Sequence, residues 1–425
     1  MENYVNELID FINNSPTAFQ ATENIVKELK ENGFEELSEK DKWNLEKNKS
    51  YFVTRNQSSV LAFKMGKGNI AENGFHLIGA HTDSPALKIK PESETISKNN
   101  IKIGVEVYGG PIKASWTDRE LSIAGRVIIK NGDSIESKNI NFENPVAIIP
   151  NLPIHMNGEL NNGFKYNAQD HFQAIIGLTD NKDEKNFLKS KIAEKLGIDL
   201  ENILDFDLFL YDWAKSRLCG FNNEFLVSGR LDNLAMSHAI LKAILAPTEN
   251  NSVDVAIFFD NEEIGSRTLQ GADSSFLKDI LQRISFSESE TFEDYKRAIA
   301  NSFLISSDMA HAFHPDYPAK HDPFYTPQIN KGPVIKYNAN YRYSTTAESA
   351  AYFSNLCEKA DVPYQKMTNR SDMRSGSTIG PMTSAALGIK SVDIGNPMWA
   401  MHSTRETGGT LDHIYVIKAF KEFYK

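Results

Sequence analysis

Two adjacent glutamates, Glu262 and Glu263, follow the apolar run 253–259 in the segment VDVAIFFDNEE. Adjacent carboxylates repel each other, most strongly where apolar neighbours exclude water, so such a pair is either solvated or neutralised by a cation. Successive side chains of an extended segment point in opposite directions, and both could bind one cation only across a sharp turn. The pattern favours a division of labour in which one glutamate binds a metal and the other is a general base.

Other apolar runs also end in side chains that commonly bind metals. In open α/β sheets, ligands bind outside the carboxyl ends of the strands, so these side chains are expected to share one rim. Histidines combined with carboxylates suit zinc or another borderline divalent metal. Asp232 begins a helical pattern after SGR and could also simply cap that helix. The candidates at the ends of the runs are His81 and Asp83, then Asp260, then Asp308, and finally His402.

The acidic balance of this set predicts more than one metal ion. Its carboxylates carry more negative charge than a single Zn²⁺ neutralises, whereas two metals about 3.5–4 Å apart and bridged by one carboxylate would absorb that charge. The spacing of His81 and Asp83 lets the aspartate orient the imidazole and fix its tautomer. Taken singly, each residue also has a purely structural interpretation, and spacing does not decide which carboxylate bridges or which glutamate is the base. The carboxylates in question are Asp232, Glu262, Glu263 and Asp308.

The elements that must position these residues alternate along the chain. Short, nearly continuous apolar runs are typical of strands buried on both faces of a mainly parallel sheet, and helical patterns lie between them. This alternation predicts an α/β fold with helices on both faces of the sheet. The runs are 75–80, 253–259, 302–307 and 390–395, and the main helical patterns are 231–245, 348–360 and 412–425.

The middle of the chain has a different pattern. From about residue 92 to 224, β-rich runs are broken by Gly, Asn and Asp turns, with one helical stretch at 183–197. We therefore predict a catalytic domain formed by 1–91 plus 225–425 and a β-rich second domain, 92–224, inserted into it.

Composition excludes several classes of function. The chain has 425 residues, 40% hydrophobic and 24% charged, and its net charge of −10 disfavours non-specific binding of nucleic acid. No apolar run approaches the roughly 18 residues that span a bilayer. The acidic N-terminus shows no signal peptide, and the two cysteines are expected to be reduced, so we expect a cytoplasmic protein.

Several long motifs, in order, cover nearly the whole chain and carry a family resemblance. The chain resembles the M18 metallo-aminopeptidases (the aspartyl aminopeptidases), and its length resembles the shorter bacterial branch. The resemblance implies a fold like that of the di-zinc exopeptidases. The motifs are GAHTDSPALKIKP, YGGPIKASWTDRELSIAGRV, IPNLPIHMN, GRLDNLAM, FFDNEEIGS, SSDMAHAFHPDYPAKH, NKGPVIKYNANYRY, GSTIGP and AMHSTRE.

The resemblance assigns the metal ligands that spacing leaves open. It implies that His81 and Asp308 bind one zinc, that Glu263 and His402 bind the other, and that Asp232 bridges the two. The expected cofactor is therefore two divalent metal ions per subunit, most simply Zn²⁺.

Further roles follow from the same resemblance. Glu262 is the general base and Asp83 supports His81, while Lys336 meets the acidic side chain of the substrate's first residue. His155 is presented by the second domain, a dimerisation domain, to a neighbouring subunit's active site. The family's dimers assemble into a tetrahedral dodecamer, which would admit only short peptides.

The sequence thus predicts an aminopeptidase that prefers N-terminal Asp or Glu, with no nucleic-acid or membrane partner. One alternative keeps the chemistry but prefers neutral or hydrophobic N-terminal residues. The others are a carboxypeptidase or deacylase of the same clan and a non-catalytic binding protein with an inert metal site. Departures from the family pattern at Pro111, Gly229 and 211–225 bear on substrate preference and subunit contacts, not on the metal set.

Overall fold

The computed structural model describes residues 2–288 and 291–425. The chain forms two compact units, which we call the first and the second unit. The domain boundaries predicted from sequence, at 92 and 224, stay a prediction. The first unit comprises Met1–Asp83, Ser216–Met401 and Glu406–Lys425, and the second comprises Ser84–Lys215 and His402–Arg405.

Helices occur in both units, and α4 and α5 belong to the second. None of the helices within the described residues combines the length and apolar character that a membrane span requires. The helices are α1 (Glu2–Asn13), α2 (Ala18–Glu31), α3 (Ile70–Asn73), α4 (Ala168–His171), α5 (Phe187–Leu196), α6 (Leu231–Ile244), α7 (Phe276–Ser287), α8 (Phe292–Ala300), α9 (Ala347–Lys359), α10 (Ile379–Leu387) and α11 (Thr410–Phe423).

The strands form three sheets. They are β1 (Glu35–Glu36), β2 (Ser50–Arg55), β3 (Ser59–Lys64), β4 (Phe75–His81), β5 (Ala86–Ser97), β6 (Asn100–Tyr108), β7 (Leu121–Asn131), β8 (Ser134–Asn141), β9 (Ala174–Leu178), β10 (Ile203–Asp212), β11 (Arg217–Cys219), β12 (Phe225–Ser228), β13 (Val253–Phe259), β14 (Phe303–Ser307), β15 (Ala310–His311), β16 (Val334–Tyr337), β17 (Gln365–Thr368), β18 (Lys390–Gly395), β19 (Pro397–Trp399) and β20 (Glu406–Gly409).

The first unit is built on a nine-stranded sheet of order β1-β2-β3-β13-β4-β14-β18-β16-β17. Its centre is parallel, because β13, β4, β14 and β18 pair in parallel with one another. Antiparallel pairs join β3 to β13 and β16 to β18. The four central strands are the four apolar runs of the sequence, which confirms the predicted α/β fold.

Both faces of this sheet are buried, as strand β13 shows. Ala256 and Phe258 belong to the apolar core on one face, whereas Val255 and Ile257 belong to the core on the other. Because side chains alternate along a strand, burial of both faces requires a continuous apolar run rather than an alternating pattern. Helices α1, α2, α6, α9 and α11 contribute to the first core, and α7, α8 and α10 contribute to the second.

A five-stranded sheet of order β11-β12-β20-β19-β15 completes the first unit. The second unit contains a six-stranded sheet of order β8-β7-β10-β5-β6-β9. Every pairing in that six-stranded sheet is antiparallel. Its apolar core includes Leu87, Ile103 and Leu208, together with Ile192 of α5.

Gly395, at the end of β18, is expected to be intolerant of any side chain. A Cβ atom at this position would lie 1.5 Å from the carbonyl oxygen of Asp308. We therefore expect Gly395→Ala to lower the free energy of unfolding, measured in urea, by about 3 kcal/mol or more. The matched control is Gly376→Ala, where a Cβ would meet nothing within 4 Å. That control should change stability by less than about 1 kcal/mol, and equal stability of the two variants would contradict the close contact at Gly395.

Candidate metal and catalytic site

Three adjacent parallel strands deliver the candidate residues to one rim of the large sheet. His81 is the last residue of β4, Glu262 and Glu263 follow β13, and Asp308 follows β14. Because the carboxyl ends of parallel strands lie at the same edge, residues distant in sequence meet there.

His81 lies at the centre of the site and is 1% exposed. Its Nε2 is 3.5 Å from Oδ1 of Asp232 and 3.6 Å from Oδ1 of Asp308. Its Nδ1 is 3.1 Å from the carbonyl oxygen of Asp83 and 3.3 Å from Oδ1 of the same residue. Since Nδ1 has only acceptors beside it, it donates to Asp83, and Nε2 is the nitrogen directed at the two carboxylates.

His81, Asp232 and Glu263 form a group that could hold a metal ion. One ligand atom from each residue lies within 4.8 Å of the ligand atoms of the others. His81 and Asp232 are buried and Glu263 is half-buried. One imidazole nitrogen with two carboxylate oxygens is a donor set that zinc accepts, so these residues fit the predicted metal.

The two glutamates sit on a sharp turn, a single turn of 3₁₀-helix that begins at Glu262. Asn261 before it and Gly265 after it have left-handed backbone, with φ of +64° and +97°. Both carboxylate oxygens of Asp83 accept from this turn: Oδ1 from the backbone N–H of Glu262 at 3.1 Å and Oδ2 from that of Glu263 at 3.2 Å. Asp83 therefore contacts both the imidazole of His81 and the backbone of the glutamate pair, and the second contact was not predicted.

Asp232 occupies an irregular first turn of α6, joined to Asn233 by a cis peptide bond. Its backbone N–H donates to Oε2 of Glu406 at 3.2 Å, and Nδ2 of Asn233 donates to the carbonyl oxygen of Ser307 at 2.9 Å. The backbone of Asp232 and Asn233 is not helical, with φ of −82° and −125°, so the regular part of α6 begins only after them. Sequence reasoning missed Glu406, whose only signal is a carboxylate inside the AMHSTRE motif.

The concentration of carboxylates shifts the pKa values of the site. Burial acts to lower the pKa of His81, but hydrogen bonds with Asp232, Asp308 and Asp83 outweigh burial and raise that pKa well above its usual value. Burial raises the pKa of Glu262 to about 8, with the negative charges of the same aspartates adding to the effect and the charge of His81 opposing it. The raised pKa of His81 reflects the concentration of carboxylates around it, a negative charge that bound cations would neutralise.

Asp260, also at the end of β13, is not part of the group of His81, Asp232 and Glu263. It is 5% exposed, and its Oδ1 accepts the backbone N–H of Asn261 at 2.7 Å. Burial, with the negative charge of Asp83 adding to the effect, raises the pKa of Asp260 to about 7. Its contact with Asn261 gives it a role in shaping the turn before the glutamates.

Lys336, on β16, is a buried lysine that is only 2% exposed. Its Nζ is 3.9 Å from Oδ2 of Asp308 and 5.4 Å from the ring centroid of Tyr343. Burial acts to lower the pKa of Lys336, but Asp308 and other nearby negative groups outweigh burial and raise it. The ammonium group is thus buried, charged and next to one of the predicted ligands.

Two predicted site residues lie in the second unit. Nδ1 of His402 is 3.0 Å from the carbonyl oxygen of Gly110, so this nitrogen is the donor and Nε2 is the potential ligand atom. His155 is exposed in a turn of the same unit. Their predicted roles, metal binding for His402 and contact with a neighbouring subunit for His155, stay predictions.

Comparison with known proteins agrees with these features. Residues 11–424 match the family model described as Aminopeptidase I zinc metalloprotease (M18). A protein of Clostridium acetobutylicum named probable M18 family aminopeptidase 2 is 52% identical over 425 residues, which are 99% of this chain and 98% of that protein.

Solved structures show the same fold. The chain superposes with a TM-score of 0.95 and 40% identity on a protein in the cryo-EM structure of the Ape4 and Nbr1 complex, covering 100% of this chain and 85% of that one. It also superposes on the S. cerevisiae mApe1 dodecamer structure, with a TM-score of 0.86, 27% identity and coverage of 100% and 96%.

Proposed function

This chain belongs to the M18 family of zinc metallo-aminopeptidases, and from that premise we propose that it hydrolyses short peptides after an N-terminal Asp or Glu. The observation that carries the proposal is the group of His81, Asp232 and Glu263, whose ligand atoms lie within 4.8 Å of one another. Glu262, which directly precedes one of these ligands, is held on the same turn. A metal site with an adjacent carboxylate is the arrangement that metal-assisted hydrolysis requires.

The proposed site holds two zinc ions. His81 and Asp308 would hold one ion, Glu263 and His402 would hold the other, and Asp232 would bridge them. The excess negative charge around His81 supports two ions over one, because two divalent cations neutralise more of it. When bound, zinc would polarise the scissile carbonyl and lower the pKa of the attacking water.

Glu262 is the proposed proton carrier of the reaction. Its carboxylate would take a proton from the attacking water and deliver it to the leaving amine, so that the amine departs neutral. Asp83 supports this role by accepting the backbone N–H groups of both Glu262 and Glu263, which holds the base and a ligand on one rigid turn. Through its contact with Nδ1 of His81, Asp83 would also keep Nε2 available for metal.

Lys336 is the proposed source of the acidic preference. The net charge of −10 repels acidic peptides, so a preference for Asp or Glu requires a local cation. Within the described residues Lys336 makes no hydrogen bond, and its one ion pair, with Asp308, is 3.9 Å long. The buried ammonium therefore has donors to offer to the side-chain carboxylate of the substrate's first residue.

Replacing Lys336 by methionine tests the preference. We expect Lys336→Met to lower kcat/KM for Asp- and Glu-derived chromogenic substrates about 10- to 100-fold more than for the Leu-derived substrate, because only the acidic side chains lose a charged partner. The readout is the ratio of kcat/KM for the Asp substrate to kcat/KM for the Leu substrate. This ratio is used because loss of the contact between Lys336 and Asp308 would affect all substrates equally. Wild-type enzyme that cleaves the Leu substrate as well as the Asp substrate would contradict the preference and favour the neutral-residue alternative.

We further propose that the chain forms a homo-oligomer through its second unit, with dimers that assemble into a tetrahedral dodecamer. The related mApe1 structure is described as a dodecamer. In this chain, apolar side chains around His155 are exposed: Leu152 by 54%, Ile154 by 47% and Met156 by 72%. Clustered exposed apolar residues are typical of protein interfaces, and an interface there would carry His155 towards a neighbouring subunit.

A further inference from the structure

Asp393, in the interior of β18, is 0% exposed. Its Oδ1 accepts from the hydroxyl groups of Ser306 at 2.6 Å and Thr378 at 2.5 Å. Its Oδ2 accepts from both the backbone N–H of Ser344, at 2.5 Å, and the hydroxyl group of the same residue, at 2.7 Å. Four donors therefore surround a carboxylate at the centre of the sheet.

The protein is built to keep this carboxylate in place. Asp393 takes part in no ion pair among residues 2–288 and 291–425. A Cβ atom at Gly380 would lie 2.4 Å from Oδ2 of Asp393, so glycine is required beside it. A buried carboxylate is costly even when it is hydrogen-bonded, and packing alone would be served better by an apolar residue. A carboxylate at this position is thus expected to have a functional role beyond packing.

Asp393 is connected to Lys336 through the residues next to Ser344. Tyr343, which directly precedes Ser344, has its ring centroid 5.4 Å from Nζ of Lys336. On the other side, Oγ1 of Thr345 accepts the backbone N–H of Asp393 at 2.9 Å. Asp393 thus holds Ser344 and Thr345, and with them the position of the Tyr343 ring against the ammonium group.

Asp393 and Lys336 also lie on neighbouring strands. Strand β16, which carries Lys336, pairs with β18, which carries Asp393. Unlike Asp308, Asp393 is not among the predicted metal ligands, so its replacement leaves that proposed set intact.

We propose that Asp393 is a positioning residue for substrate specificity: it holds Ser344 and Thr345, and so fixes Tyr343 against Lys336 with the ammonium group placed to bind an acidic first residue. The inference rests on the proposed role of Lys336. If Asp393 only stabilised the sheet, its loss would affect all substrates alike.

The test compares Asp393→Asn with wild type in the zinc-loaded full-length enzyme. We expect KM for the Asp-derived substrate to rise about 10-fold or more, with kcat, and KM for the Leu-derived substrate, within about threefold of wild type. The matched control is Asp254→Asn, because Asp254 is also buried and accepts from Thr248 and Asn250, on a different strand. This control should leave the Asp-to-Leu ratio within about twofold of wild type.

A second pair of variants decides the question if Asp393→Asn does not fold. Ser344→Ala and Thr378→Ala each remove one hydroxyl donor from the same carboxylate, but only Ser344 adjoins Tyr343. We expect Ser344→Ala to raise KM for the Asp substrate about 3- to 10-fold, roughly the effect of one lost hydrogen bond. Thr378→Ala should raise it less than twofold, because Thr378 does not adjoin Tyr343. Equal effects of the two variants on the Asp-to-Leu ratio would overturn the inference.

The outcomes also separate this inference from the proposed function. If wild-type enzyme shows no preference for the Asp substrate over the Leu substrate, the proposed acidic preference and the inference about Asp393 are both wrong. If wild type prefers Asp and Lys336→Met removes the preference, while Asp393→Asn and Ser344→Ala retain it, the inference about Asp393 alone is wrong.

Discussion

The Glu262→Gln enzyme is expected to turn over its substrate about 10²- to 10⁴-fold more slowly than wild type, because a glutamine of the same shape cannot accept a proton from water. KM should change little, since Glu262 is not a proposed ligand of substrate or metal. The measurement is kcat on an Asp-derived chromogenic substrate, with thermal unfolding as a check of folding.

Glu249→Gln is the matched control for this variant. Its side chain is 85% exposed and pairs with Lys67 on the surface. The same chemical change there should leave kcat within about twofold of wild type. A Glu262→Gln enzyme with more than a tenth of wild-type kcat would show that another group moves the proton.

The second prediction with a large effect concerns Asp232, the proposed bridging ligand. Asp232→Asn is expected to lose both of the proposed zinc ions, because it removes the carboxylate that they are proposed to share, whereas Asp308→Asn should lose about one of the two. Activity should fall by more than about 10²-fold in both variants. Zinc per chain is measured by elemental analysis after gel filtration, against the wild-type enzyme purified in the same way.

The zinc content of these variants tests the number of ions independently of activity. Wild-type protein that binds a single zinc would contradict the two-metal proposal. Equal zinc loss from Asp232→Asn and Asp308→Asn would show that Asp232 does not bridge. The burial of Asp232, at 4% exposed, and its 3.5 Å distance to Nε2 of His81 are the structural grounds for expecting the larger effect there.

Much of the fold could be predicted from the sequence because the central strands are buried on both faces. The run 253–259 is strand β13 and 390–395 is strand β18, each with the predicted bounds. Helix 231–245 ends one residue earlier than predicted, at Ile244. Continuous apolar runs leave few alternatives once helical patterns separate them.

The glutamate pair shows which features of the site could be predicted from neighbouring residues in the sequence and which could not. Sequence reasoning gave a sharp turn as the condition for both glutamates to face one cation, and the structure contains such a turn, flanked by left-handed Asn261 and Gly265. The contact of Asp83 with the backbone of this turn was not predictable, because 179 residues separate Asp83 from Glu262. Which glutamate is the base came from the family resemblance and not from the spacing.

Asp393 illustrates what sequence alone conceals. Within KSVDIG it reads as a single polar residue in an apolar strand. Its hydroxyl donors are 87, 49 and 15 residues away along the chain, at Ser306, Ser344 and Thr378. Only the folded sheet brings these groups together, and the same is true of the contact between Lys336 and Asp308.

The most direct test of the central claim, that Glu263 binds metal while Glu262 moves protons, is the zinc content of Glu262→Gln and Glu263→Gln measured side by side. Glu262→Gln should retain the zinc of the wild-type enzyme, and Glu263→Gln should lose about one ion per chain. Both variants should lose most of their activity, so the metal content distinguishes the two roles. Zinc lost from Glu262→Gln and retained by Glu263→Gln would contradict the account.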